Sequence, residues 1–160
     1  MKFNQDYLET YATLLKTTNL QKGYQEFIKL FRYLRIELEK EFSSYSFSGN
    51  IVENGMDYSY FQFTNEELKA KGLKIVIAFV HSNVSFEVWL SGYNRKCQCD
   101  YYEKLKSEKL KFILNHQPSR IDYIMKLPIN NIVDLSDSMG LLHVMKENIA
   151  IFLEYIQSIG

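Results

Sequence analysis

A chain of 160 residues, 46% hydrophobic and 24% charged, is long enough to close a substantial core and is expected to form one domain. Its 19 basic and 19 acidic residues cancel, so the net-basic footprint behind non-specific nucleic-acid binding is missing and nucleic acid is not an expected partner. No apolar run approaches the ~20 residues of a bilayer span, and the opening MKFNQDYLET carries polar and acidic groups where a secretion signal needs an apolar segment; a cytoplasmic location without a membrane partner is expected.

Phe3, Tyr7, Leu8, Tyr11, Leu14 and Leu15 recur at helical spacing and predict a first helix over 3–17. Leu20, Tyr24, Phe27, Phe31, Leu34 and Leu38 predict a longer one over 20–41, with Lys29, Arg32, Arg35, Glu39 and Lys40 on its solvated face. The following YSFSGNIVENGMDYSYFQF is rich in Tyr, Phe, Ile and Val and predicts strands over 45–53 and 56–63. Asn54-Gly55 between them is a two-residue hairpin signal, because both turn positions need positive φ. Thr64 and Glu67 fit a capping box, with Thr64 as the cap of a short helix that Gly72 ends.

The stretch LKIVIAFVHSNVSFEVWLSGYNR, residues 73–95, reads as a second hairpin turning at His81-Ser82-Asn83. Its first arm is apolar at nearly every position, as in a strand covered on both faces. Its second arm alternates: Val84, Phe86, Val88 and Leu90 on one side, Ser85, Glu87, Trp89 and Ser91 on the other. Cys97, Tyr101 and Leu105 mark a third long helix over 94–107. Leu110–Asn115 and Ile121–Ile129 read as weak strands, with Pro128 placing the latter at an edge or by a loop. Ser136 or Asp137 caps a final helix bearing Leu141, Val144, Met145, Ile149, Phe152 and Ile156, running to about residue 158. The order predicts an α+β fold, an antiparallel β-meander of four or more strands packed by N-terminal and C-terminal helices, in a single globular domain over residues 1–160.

Chemistry concentrates at the end of the second hairpin. Glu87 and Trp89 share a face that ends in Tyr93, Asn94 and Arg95, where the strand gives way to a helix. An indole, a phenol, an amide and a guanidinium can line a small-ligand pocket with Glu87 fixing a donor. The same residue types suit the hot spot of a homodimer. A third reading is plain packing, with Trp89 under the second helix, Arg95 capping it, and Glu87 paired with Arg95 or a tyrosine. The alternative chemistry is metal-dependent: Asp57 and Glu87, one on each hairpin, form an acidic pair of the kind that holds Mg²⁺ in phosphodiesterases and nucleases. Such enzymes usually place a lysine two residues after the second acid, and here that position is Trp89.

His81, His116 and His143 fall in a turn, a loop and a helix, with no metal-site spacing. Cys97 and Cys99 on a helix point about 200° apart and cannot meet at one ion. No phosphate-cradling glycine motif and no nucleophile elbow occurs. The sequence therefore assigns no catalytic residue, no metal ligand and no cofactor. The expectation is a non-enzymatic binding or interaction protein, engaging a small ligand or a second copy of itself.

The pattern G-x-I-x-x-x-x-M-D-x-(S/T)-Y-F, here Gly49-Asn50-Ile51 and then Met56-Asp57-Tyr58-Ser59-Tyr60-Phe61, followed by LKIVIAFVH and FEVWLSGYNR, resembles a family of bacterial proteins of about this length described only as a domain of unknown function. The resemblance spans roughly residues 20–105. It implies a single α+β domain and carries no activity to transfer to any residue.

Overall fold

The computed structural model describes residues 1–130 and 134–159. Its strands are β1 (Ser46–Asn54), β2 (Tyr58–Thr64), β3 (Leu73–Val80), β4 (Ser85–Gly92), β5 (Ile113–Leu114) and β6 (Met125–Ile129). They form one antiparallel sheet in the order β1-β2-β3-β4-β6-β5. The helices are α1 (Gln5–Thr17), α2 (Leu20–Glu41), α3 (Glu66–Ala70), α4 (Arg95–Leu105) and α5 (Ser138–Ile159). The fold is α+β, as the periodicities predict. The expected four-strand meander is β1 to β4, and the two weak segments extend it past β4. No helix among the described residues is long and apolar enough to cross a membrane.

Alternation along the strands gives the sheet two different faces. Phe61, Phe63, Ile75, Ile77, Phe86, Val88 and Leu90 point to the first, where Phe31, Leu34 and Leu38 of α2 and Met145, Ile149 and Phe152 of α5 close the core. Each such side chain removed from water is worth roughly 1.5–3 kcal/mol. The second face gathers a smaller cluster of Val76, Ala78 and Trp89 with Tyr58, Tyr60, Val80 and Tyr123, none of which is on a helix. Trp89 thus lies on the face away from α2, not beneath it. The alternation in β4 sends Phe86 and Trp89 to opposite sides of the sheet.

Local signals were displaced by a residue in three places. The first hairpin turns on Gly55 and Met56, with φ of 59° and 62°, and Asp57 N–H donates to the Asn54 carbonyl at 2.9 Å, so Asn54 precedes the turn. Asn65, not Thr64, caps α3, its side chain accepting from Leu68 N–H at 2.9 Å, while the Thr64 hydroxyl donates to the Leu73 carbonyl at 3.1 Å. Val84 takes a left-handed conformation after a 3₁₀ turn over His81–Asn83 and is exposed, leaving the inward row of β4 to start at Phe86. At the last helix Asp137 is the cap, accepting from Gly140 N–H at 2.9 Å.

The sheet's edges are irregular. In β1, Gly49–Ile51 oppose the single residue Phe61, a bulge admitted by the positive φ of Gly49. At the other side β5 covers only Met125 and Lys126 of β6, so Pro128 lies on the uncovered stretch, as its missing N–H requires.

Candidate functional site

The open face of the sheet runs into the β4–α4 corner, and a cleft of about 270 Å³ lies there. Tyr58 and Tyr60 of β2, Lys74 and Val76 of β3 and Trp89 of β4 line it from the sheet. Tyr93, Asn94 and Arg95 line it from the corner, with Gln98 of α4 and Asp122 of the segment before β6. Strand pairing produces this neighbourhood: Tyr60 pairs with Ala78, Ala78 with Glu87, Val76 with Trp89 and Lys74 with Ser91. Side chains of one parity on three adjacent strands therefore meet on one face.

Of the residues expected from sequence, Trp89, Tyr93, Asn94 and Arg95 come together on this cleft and Glu87 lies behind it. Trp89 is buried, its ring 5.1 Å from Tyr58 and 5.3 Å from Tyr123, and forms part of the wall. Tyr93 is exposed at the rim. Asn94 is committed to the helix, its side chain accepting from Cys97 N–H at 2.9 Å as the α4 cap. Arg95 donates to the carbonyls of Pro118 and Ile121 and pairs with Asp122 at 2.5 Å, tying the preceding loop to the rim. It caps no helix and does not touch Glu87.

Glu87 is 4% exposed and accepts from the Trp89 indole N–H at 2.6 Å and from Lys126 Nζ at 2.9 Å. Both carboxylate oxygens are occupied, which fixes the indole plane rather than offering a ligand contact. Burial pulls the Lys126 amine down, but the Glu87 carboxylate outweighs it and leaves Lys126 raised above its ordinary range. The partners expected for Glu87, Arg95 or a tyrosine, are replaced by an indole and a lysine because β6 pairs with β4 and sets Lys126 opposite Trp89.

Asp57 does not approach Glu87. It sits exposed beside the first hairpin turn, three residues along β2 from Tyr60 and two strands away. That is about 10 Å along the sheet and about 10 Å across it. No group of three or more His, Cys, Asp and Glu side chains able to hold a metal ion occurs among the described residues. His81 approaches the Ser59 hydroxyl at 2.9 Å, and Ser59 is fully buried. Cys97 and Cys99 are free thiols.

Lys74, Tyr58, Tyr60 and Asp122 were not singled out from sequence, and Lys74 carries the cleft's most telling electrostatics. It is half-buried, and its amine makes no hydrogen bond or ion pair among the described residues. Burial pushes its pKa below the ordinary lysine range, against the attraction of Asp122. Asp122 is already engaged by Arg95 and by the Tyr58 hydroxyl, which donates to it at 2.5 Å. Burial and then that hydrogen bond to the carboxylate push the Tyr58 phenol well above its usual range. The signal for Lys74 was present in LKIVIAFV, where it is the single charge in a strand apolar on both faces.

A family model described as "Domain of unknown function (DUF7000)" matches residues 3–160. No curated protein and no solved structure matches the chain.

Proposed function

We propose that this chain, which belongs to that domain family of unknown function, is a non-enzymatic small-ligand-binding protein whose ligand joins one anionic group to a flat, largely apolar body. The observation that carries this reading is Lys74, a half-buried ammonium without a partner among the described residues, set beside the aromatic wall of Tyr58, Tyr60 and Trp89. Leaving a charge half-desolvated and unpaired is unfavourable unless something else supplies the counter-charge. Arg95 and Asp122 neutralise each other at the rim, so the uncompensated charge inside is positive. The volume of about 270 Å³ lies just under the usual ligand-pocket range of about 300–1,000 Å³, which limits the ligand to a small molecule.

The chain has one tryptophan, and it is in the cleft wall, so binding is read from its own fluorescence. Titration with benzoate and phenyl phosphate is expected to change Trp89 emission and raise the melting temperature, while benzyl alcohol does neither. Lys74→Met should keep the fold and weaken binding of the responding anion about 10- to 100-fold, the effect of losing one charge-assisted hydrogen bond. Unchanged emission with every anion, or equal affinity in Lys74→Met, overturns the proposal.

A further inference from the structure

The first helix is amphipathic, yet none of its residues is buried. Tyr7, Leu8, Tyr11, Leu14 and Leu15 form a continuous apolar stripe that remains 37% to 75% exposed, and Phe3, exposed as well, precedes the helix. Helices in proteins gain most of their stability by packing such a stripe, and α1, at 13 residues, is near the length below which isolated helices are marginal. The stripe therefore needs a cover.

Its pattern is its own complement. The apolar positions are Tyr11 and the residues three and four places to either side of it: Tyr7, Leu8, Leu14 and Leu15. Turning the helix end over end about Tyr11 exchanges Leu8 with Leu14 and Tyr7 with Leu15, so the stripe maps onto itself. Two copies packed antiparallel would set Leu8 against the partner's Leu14, Tyr7 against the partner's Leu15, and the two Tyr11 rings against each other on the axis. That is the condition for an isologous two-fold interface. Asp6, Glu9 and Lys16 lie off the stripe, so closing it desolvates no charge. The antiparallel arrangement also places the acid-bearing start of each helix beside the lysine-bearing end of the other and opposes their dipoles.

We propose that the protein forms a symmetric homodimer through an antiparallel α1–α1 contact centred on Tyr11. Taking about 200 Å² for a large side chain, the five stripe residues leave roughly 500 Å² open per copy. Closing two stripes removes about 1,000 Å², the minimum for a specific interface, so the dimer is a weak, concentration-dependent one. A lipid surface is the less suitable cover, because the polar face carries two acids against one lysine instead of the basic residues that hold a helix on anionic headgroups.

The test is sedimentation velocity on the full chain across about 1 μM to 1 mM, with Tyr11→Lys and Tyr11→Glu variants. Since no residue of α1 is buried and Tyr11 itself is 54% exposed, neither variant should disturb the rest of the fold, which circular dichroism verifies. The wild type should move from the 19.0 kDa monomer to twice that mass as concentration rises. Each variant alone should stay monomeric, since two like charges meet on the axis, and an equimolar mixture should dimerise again. A wild type that is monomeric throughout overturns the proposal. So does a dimer that either variant leaves intact, or a mixture that stays monomeric. Binding of the monomer to phosphatidylglycerol vesicles with no dimer at any concentration would assign the stripe to a membrane surface instead.

Discussion

Replacing Lys126 by methionine isolates the ionic contact that holds Trp89 in the cleft wall. Methionine keeps the aliphatic stem beside Tyr123 but removes the ammonium that lies 2.9 Å from Glu87. The Glu87 side chain is 6% exposed and would be left with the indole N–H as its sole hydrogen-bond donor. Removing one member of a fully buried pair costs 3–5 kcal/mol. Because the Lys126 side chain is 22% exposed, water can partly replace it, and a loss of about 2–3 kcal/mol is expected. For a chain of this size that is a fall in melting temperature of about 4–12 °C. Urea denaturation followed by far-UV circular dichroism measures the loss, and Trp89 emission reports the wall separately. The double variant Glu87→Gln/Lys126→Met should be more stable than Lys126→Met alone, because the stranded carboxylate is gone while an amide oxygen still accepts from the indole. A Lys126→Met variant within 0.5 kcal/mol of wild type would refute the reasoning. So would a double variant whose loss equals the sum of the single losses.

Gly72 has φ of 70°, and a Cβ there would lie 2.8 Å from the Cys97 sulfur. Gly72→Ala should cost about 1–3 kcal/mol by urea denaturation, and adding Cys97→Ala should recover the part due to the clash; no recovery would show that backbone strain acts alone. Burial against Tyr24, Phe27 and Phe79 pushes the His81 pKa below its ordinary 6.5, in spite of the nearby charges of Asp57 and Glu53. The unfolded chain thus takes up its proton first, so this contribution to stability is full above pH 6.5 and is lost as pH falls towards the folded-state pKa. The stability difference between wild type and His81→Gln should accordingly shrink on acidification across that window, and a flat difference between pH 7.5 and 5 would contradict it.

The long elements were legible because their periodicity is sustained. α2 and α5 each repeat an apolar stripe over 22 residues, and the β3–β4 hairpin combines a two-sided apolar arm with a strict alternation. The corner residues Trp89 to Arg95 were legible for a related reason: they are contiguous, and strand parity with a helix cap fixes where they emerge. The rest of the cleft depends on register between strands, which no local pattern encodes. Tyr58, Tyr60 and Lys74 join Trp89 only through the pairing of β2, β3 and β4, and Asp122 arrives from a loop. The partner of Glu87 is not legible in the sequence because Lys126 is 39 residues away on a strand whose outer neighbour is two residues long. The turn and cap signals slipped by one because Asn54 and Gly55, like Thr64 and Asn65, are adjacent candidates for the same role, and tertiary pairing chooses between them.

The bulge in β1 and the proline in β6 also limit how this protein can meet copies of itself. A strand from another molecule docks on a sheet by matching a continuous row of donors and acceptors. Along β1 that row is broken at Gly49–Ile51, and along β6 it lacks the N–H of Pro128 just where β5 stops shielding it. Neither rim is a template for open-ended stacking into fibrils. An isologous side-chain contact, in which the same patch meets itself about a two-fold axis, closes instead at two copies.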